Sequence, residues 1–290
     1  MISSELHGFR VELTEAHVDE RWTMAFAAGL GDLNRVYFDT TDPRGLVAHP
    51  LFPVCFEWPV IVASRLVATE PGASTVGGAA VHASHDLVVH RLLRPDETVR
   101  TELEIIGVER TRPGVLLTMA QRTLDGEGEL VATTTYTTLH LGHDIDGPEH
   151  TPPISADAPP PAPTDLDFET THQVSLAAEA AHVYTECARI WNPIHTSLAV
   201  ATAGGLPDII LHGTATMAHA VSTVVSHYCA DDPSLVRRIG GRFRGMVLLP
   251  STITIRTTAP RVDGQGYVVW FEVQSEDRAA VIDRGYVVID

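Results

Sequence analysis

Apolar and polar residues alternate with period two along four stretches that close the first half of the chain: Val81–Leu93, Thr98–Arg110, Gly114–Asp125 and Glu129–Leu141. Four more close the second half: Ile239–Leu249, Ser251–Pro260, Gly266–Glu276 and Ala279–Ile289. Period two, with many β-branched residues, predicts strands. Glycine-rich turns such as Leu124–Glu129 and Val262–Gly266 separate them. Helical patterning precedes the strands in both halves, over Trp22–Leu30 and over Leu176–Arg189. A second helix, Thr214–Tyr228, is apolar on all sides, which predicts burial.

The two halves repeat one plan. Gly31–Asp39 (GDLNRVYFD) corresponds to Arg189–Ser197 (RIWNPIHTS), with Asn34 falling on Asn192 and Tyr37 on His195 at the same offset. A histidine loop follows each, Val47–Pro53 in the first half and Ile210–Thr216 in the second. Between the halves runs a proline-rich segment, Asp146–Asp165, with Pro159, Pro160 and Pro161 consecutive. Proline lacks a donor and disfavours helix before it, so this segment reads as an extended, solvated linker. The expected organisation is a repeat over residues 1–145, a linker over 146–165 and a second repeat over 166–290. Helices first and strands after indicate an α+β fold with antiparallel sheets. Each sheet would wrap one long buried helix, the hot-dog arrangement, and the two would pair their edges as a double hot-dog.

Composition narrows the function. The chain has 290 residues, 44% hydrophobic and 20% charged, with a net charge of −17. So acidic a surface repels phosphate backbones and argues against nucleic-acid binding. Cys55, Cys187 and Cys229 are dispersed and suggest neither a disulfide framework nor a thiolate zinc site. The fifteen histidines show no HExxH spacing, and His82, His85 and His90 fall along one strand, so no metal is expected. No basic-then-apolar leader opens the chain, and no run is long enough for a membrane helix, which makes a cytoplasmic protein the expectation. No glycine-rich phosphate loop is found, so no nucleotide cofactor is expected.

The window Tyr184–Met217 carries the chemistry. Pro193 ends the preceding helix and sets His195 on a loop. His212-Gly213 precedes a helix whose free first-turn amides can donate to a carbonyl or a developing oxyanion. A histidine beside such a helix start suits acid–base work on a thioester, although the spacing alone favours a satisfied structural histidine.

NPIHTS followed by AGGLPDIILHGTATMA resembles the signature of MaoC-like, (R)-specific enoyl-CoA hydratases, in which GDxNPIHxD precedes GxPxxIxHG. The resemblance implies reversible hydration of a 2-enoyl-CoA, with CoA entering only as part of the substrate, and a homodimer as the family's assembly. It places His195 and Asn192 in the catalytic loop and an amide donor near Gly213. The family's aspartate, five residues before the histidine, is Ile190 here; the first repeat has Asp32 in place but Tyr37 where the histidine belongs. Because each pair should lie on one loop, the halves are not expected to complement one another. Glu186, one helical turn before Ile190, and Asp208 are candidate replacement carboxylates. A non-catalytic acyl-CoA-binding subunit and thioester hydrolysis are the alternative functions. The first repeat is expected to form the wall of the acyl pocket, with His49, Phe52 and His212 on the substrate. Arg242 and Arg244 share a strand face and either grip CoA phosphates or pair with carboxylates.

Overall fold

The computed structural model describes residues 1–12, 15–67, 80–153, 158–264 and 266–290. The first half contains helices α1 (Glu20–Gly29) and α2 (Val54–Val67), the second α3 (Ala180–Ala188), α4 (Leu198–Ala203) and α5 (Gly213–Tyr228). Helix α1 starts where the Asp19 carboxylate accepts the Trp22 amide at 2.7 Å. Helix α3 stops where Arg189 turns left-handed, at φ 57°.

All eight strands foreseen from the alternation are present, and their antiparallel pairing builds one continuous sheet. Across it the order is Arg10–Glu12, Glu97–Thr111, Gly114–Asp125, Leu130–Leu141, Ala80–Val89, then Val236–Phe243, Ala280–Ile289, Gly266–Gln274, Ser251–Thr257 and Thr170–Leu176. The halves join where Ala80–Val89 pairs with Val236–Phe243, Gly240 lying opposite Asp86. Each half therefore covers the edge the other would leave exposed. One apolar core runs through both halves, from Phe26, Phe52 and Leu87 to Val221, Ile239 and Phe271. This is the double hot-dog.

The sequence reading needs three adjustments. Thr170–Leu176 is an edge strand paired with Ser251–Thr257, and α3 begins only at Ala180, so Leu176 does not open that helix. Helix α5 is not buried all round. Its small residues Ala215, Ala218 and Ala220 sit in the core, while His219 and Ser222 are half-buried and Ser226 is exposed. These three lie three and four residues apart, on one helix face. Finally, parts of the proline-rich connection are docked. His150 exchanges two backbone hydrogen bonds with Val108, and the Ala158 carbonyl accepts from Arg238 at 3.1 Å. Ala162 and Leu166 pack on Val268, Trp270 and Tyr286.

Candidate active site

Pro193 opens a short 3-10 turn that ends at His195, whose amide bonds to the Asn192 carbonyl at 3.0 Å. The imidazole is held from one side: Nδ1 lies 2.8 Å from the Ile210 carbonyl. A carbonyl only accepts, so Nδ1 carries the proton and Nε2 keeps its lone pair. Burial lowers the pKa of His195 to about 4, although the Ile210 bond opposes that shift. At neutral pH it is an uncharged imidazole with one basic nitrogen available.

His212 lies against it, the two rings stacked with centroids 3.6 Å apart. Its Nε2 is 3.3 Å from both the Ile190 carbonyl and the Thr185 hydroxyl, while Nδ1 is buried and has no partner among the described residues. Gly213 opens α5. A Cβ there would meet the Phe243 ring at 2.9 Å, so the close approach requires glycine. No side chain caps this helix start, which leaves first-turn amides as donors. Tyr184 fixes the same turn by donating to the Thr214 hydroxyl at 3.1 Å. The structure thus brings His195, His212 and Gly213 together, with Asn192 as the residue that starts the histidine turn and makes no side-chain cap.

The candidate carboxylates do not join them. Glu186 is exposed and accepts from the Trp191 indole at 3.4 Å. Asp208 is exposed and accepts the Ile209 amide within its own loop. The Ile190 side chain sits in the apolar core. Arg242 makes a forked pair with Asp283 at 2.8 and 2.9 Å, and Arg244 reaches the same carboxylate at 3.4 Å. Of the two readings of that cluster, the carboxylate-paired one matches this geometry. Phe52 is fully buried among Trp22, Phe26 and Phe56. His49 accepts the Leu51 amide on Nδ1 at 3.0 Å, so its Nε2 carries the proton and donates to Ser222 at 3.2 Å.

Two residues escaped the sequence reading. His219 and Ser222 on α5 line a cavity of about 1100 Å³ facing the Asp32 loop of the first half. Their spacing in an otherwise apolar helix was the available signal. Beside α3 a smaller hollow of about 280 Å³ is lined by Thr185, Glu186 and Trp191.

Comparison with known proteins follows the two-part plan. Residues 161–273 match the MaoC like domain, and residues 5–134 match the FAS1-like, dehydratase domain region. Peroxisomal enoyl-CoA hydratase 2 of Arabidopsis thaliana is 29% identical over 97 residues, 33% of this chain and 30% of that protein. Enoyl-CoA hydratase ChsH3 of Mycobacterium tuberculosis is 24% identical over 212 residues, 73% of this chain and 71% of that protein. The crystal structure of a MaoC-like dehydratase from Phytophthora capsici superposes with a TM-score of 0.79 at 20% identity, covering 98% of this chain and 96% of that one.

Proposed function

The chain belongs to the MaoC-like dehydratase family in its double hot-dog form, and we propose on that premise that it catalyses the reversible addition of water across the 2,3 double bond of an enoyl-CoA thioester. The observation that carries this reading is His195. Its Nδ1–H is anchored on the Ile210 carbonyl, its Nε2 is free to accept a proton, and the uncapped start of α5 lies next to its stacked neighbour His212. In this reading Nε2 takes a proton from water as the water oxygen bonds to C3. The double-bond electrons move into the thioester as an enolate, which the α5 amides stabilise. The imidazolium then returns that proton to C2, and the histidine is neutral again. No redox change occurs, so the reaction calls for no cofactor.

The test is a hydration assay with crotonyl-CoA and a few longer and branched enoyl-CoAs, following the loss of the conjugated thioester absorbance. General acid–base groups contribute on the order of 10²–10⁴ in rate, so His195→Ala should lower hydration by at least about a hundredfold while the fold is retained. Full activity in that variant removes the mechanism. Binding of CoA esters without turnover by the wild type would favour an acyl-CoA-binding subunit, the reading that Ile190 supports by withholding a carboxylate.

A further inference from the structure

Neither repeat carries the carboxylate and the imidazole on one loop. The second has His195 without an acid, the first Asp32 without a base, and Tyr37 in the base's place is fully buried, its hydroxyl without a hydrogen-bond partner among the described residues. The fold brings another histidine to Asp32. The Gly31–Asn34 turn faces the middle of α5 from the other half, across the cavity of about 1100 Å³. Asp32 is fixed there, its carboxylate accepting the Asn34 amide at 3.0 Å. Asn34 in turn donates its side-chain amide to the Asp231 carbonyl at 2.8 Å, tying the turn to the segment that follows α5.

Two imidazoles feel the Asp32 charge, His49 and His219, each holding a higher proton affinity than its burial alone would leave it. His49 is committed on both nitrogens, to Leu51 and Ser222. His219 lines the cavity and has no hydrogen bond to its ring among the described residues. Of these two it is the histidine available for chemistry, and its lowered pKa of about 4 makes it a neutral base at pH 7. The cavity's volume suits a small-molecule ligand. At its rim Arg35 and Arg44 are tied to Asp39 and Asp42, while Asp231 and Asp232 add negative charge. A polyanionic nucleotide is disfavoured inside, whereas a neutral acyl–pantetheine arm is not.

We infer that this cavity is a second acyl-thioester site, in which His219 of the second repeat is the base and Asp32 of the first repeat is its charge partner. The inference rests on the reading of the chain as an acyl-thioester hydratase. His219 takes one proton from water as the oxygen bonds to C3, the C2–C3 electron pair shifts into the thioester enolate, and the same proton passes to C2. The product is the 3-hydroxyacyl thioester, with His219 neutral again. Asp32 stabilises the transient imidazolium, a role for which no carboxylate among the described residues bonds to His195.

The experiment compares hydration of crotonyl-CoA and longer enoyl-CoAs by the wild type, His195→Ala, and His195→Ala combined with Asp32→Asn or His219→Gln, with thermal melts confirming folding. Asp32→Asn keeps the oxygen that accepts from Asn34, so the turn is preserved. The residual hydration of His195→Ala should fall at least tenfold in each double variant. Double variants as active as His195→Ala overturn the inference and leave the proposed function standing, and so does a His195→Ala protein with no hydration above the uncatalysed rate. A wild type that hydrates none of the substrates overturns the proposed function and this inference together.

Discussion

His195 and His212 stack with ring centroids 3.6 Å apart, and each is anchored through one nitrogen to a backbone carbonyl of the other's chain segment: His195 to Ile210, His212 to Ile190. The anchors lock both loops and fix the tautomers. Burial lowers the pKa of both, and His195 adds to the lowering at His212 because two charged rings in contact repel. A base that must be uncharged loses activity only as pH falls through its own pKa. Hydration assigned to His195 should therefore hold from neutral pH down to about 5 and decline as pH drops through about 4. A kcat/KM profile over that range checks this, and an acid limb near 6.5 would mean that the imidazole titrates as if solvated.

The same burial sets a dependence of stability on pH. His49 and His195 each have a folded pKa of about 4 against 6.5 for an exposed histidine. Between those values the unfolded chain binds more protons than the folded one, so stability rises with pH. The contribution is complete above about 6.5 and is lost as pH falls toward 4, at about 3 kcal/mol per histidine. Urea midpoints at pH 7.5, 5.5 and 4.5 should fall in that order. The His49→Gln variant should show a shallower decline, and an unchanged slope would mean that His49 is charged in the fold.

The junction between the halves is electrostatic as well as hydrogen-bonded. Arg238 forks onto Asp86 at 2.7 and 2.6 Å across the seam, and the Tyr286 hydroxyl donates to the same carboxylate. Arg238 is only 8% exposed. Removing the carboxylate takes the counter-charge from a buried guanidinium that keeps the Ala158 carbonyl as an acceptor; breaking such a buried ion pair typically costs about 3–5 kcal/mol. Asp86→Ala should lower the unfolding free energy by that amount, measured in urea. A loss under about 1 kcal/mol would mean that the seam is held by its backbone pairing alone.

The strands, the repeat and the meeting of His195 with His212 and Gly213 were legible in the sequence because they rest on alternation and on one short motif. The remaining site residues depend on where the chain turns. Glu186 seemed one turn from Ile190 on a continuing helix, but Arg189 ends α3 in a left-handed conformation, and Ile190 meets His212 through its carbonyl. Asp283 is 41 residues from Arg242, and only the pairing of Val236–Phe243 with Ala280–Ile289 sets them side by side. His219 and Ser222 could be read as one helix face, whereas their position opposite Asp32 follows from how the two halves pack.

Ile190 is where this chain departs most from the family's pattern, and its surroundings explain why restoring the carboxylate should not restore the site. The side chain is 5% exposed, within the core that includes Ala188 and Leu211, and it is the backbone carbonyl that holds His212. An aspartate at this position would have to shed its hydration within a cluster of apolar residues, a burden of several kcal/mol that the protein meets by unfolding or by keeping the acid protonated. Ile190→Asp should therefore lower stability by roughly 3 kcal/mol or more, while Ile190→Val should cost about 0.5–1.5 kcal/mol. Hydration should not accelerate in the aspartate variant, since a protonated acid can neither take a proton from water nor supply the negative charge that stabilises the His195 imidazolium. An Ile190→Asp protein as stable as the wild type and faster on crotonyl-CoA would place this side chain in the reaction chamber and reverse the assignment of Ile190 to the core.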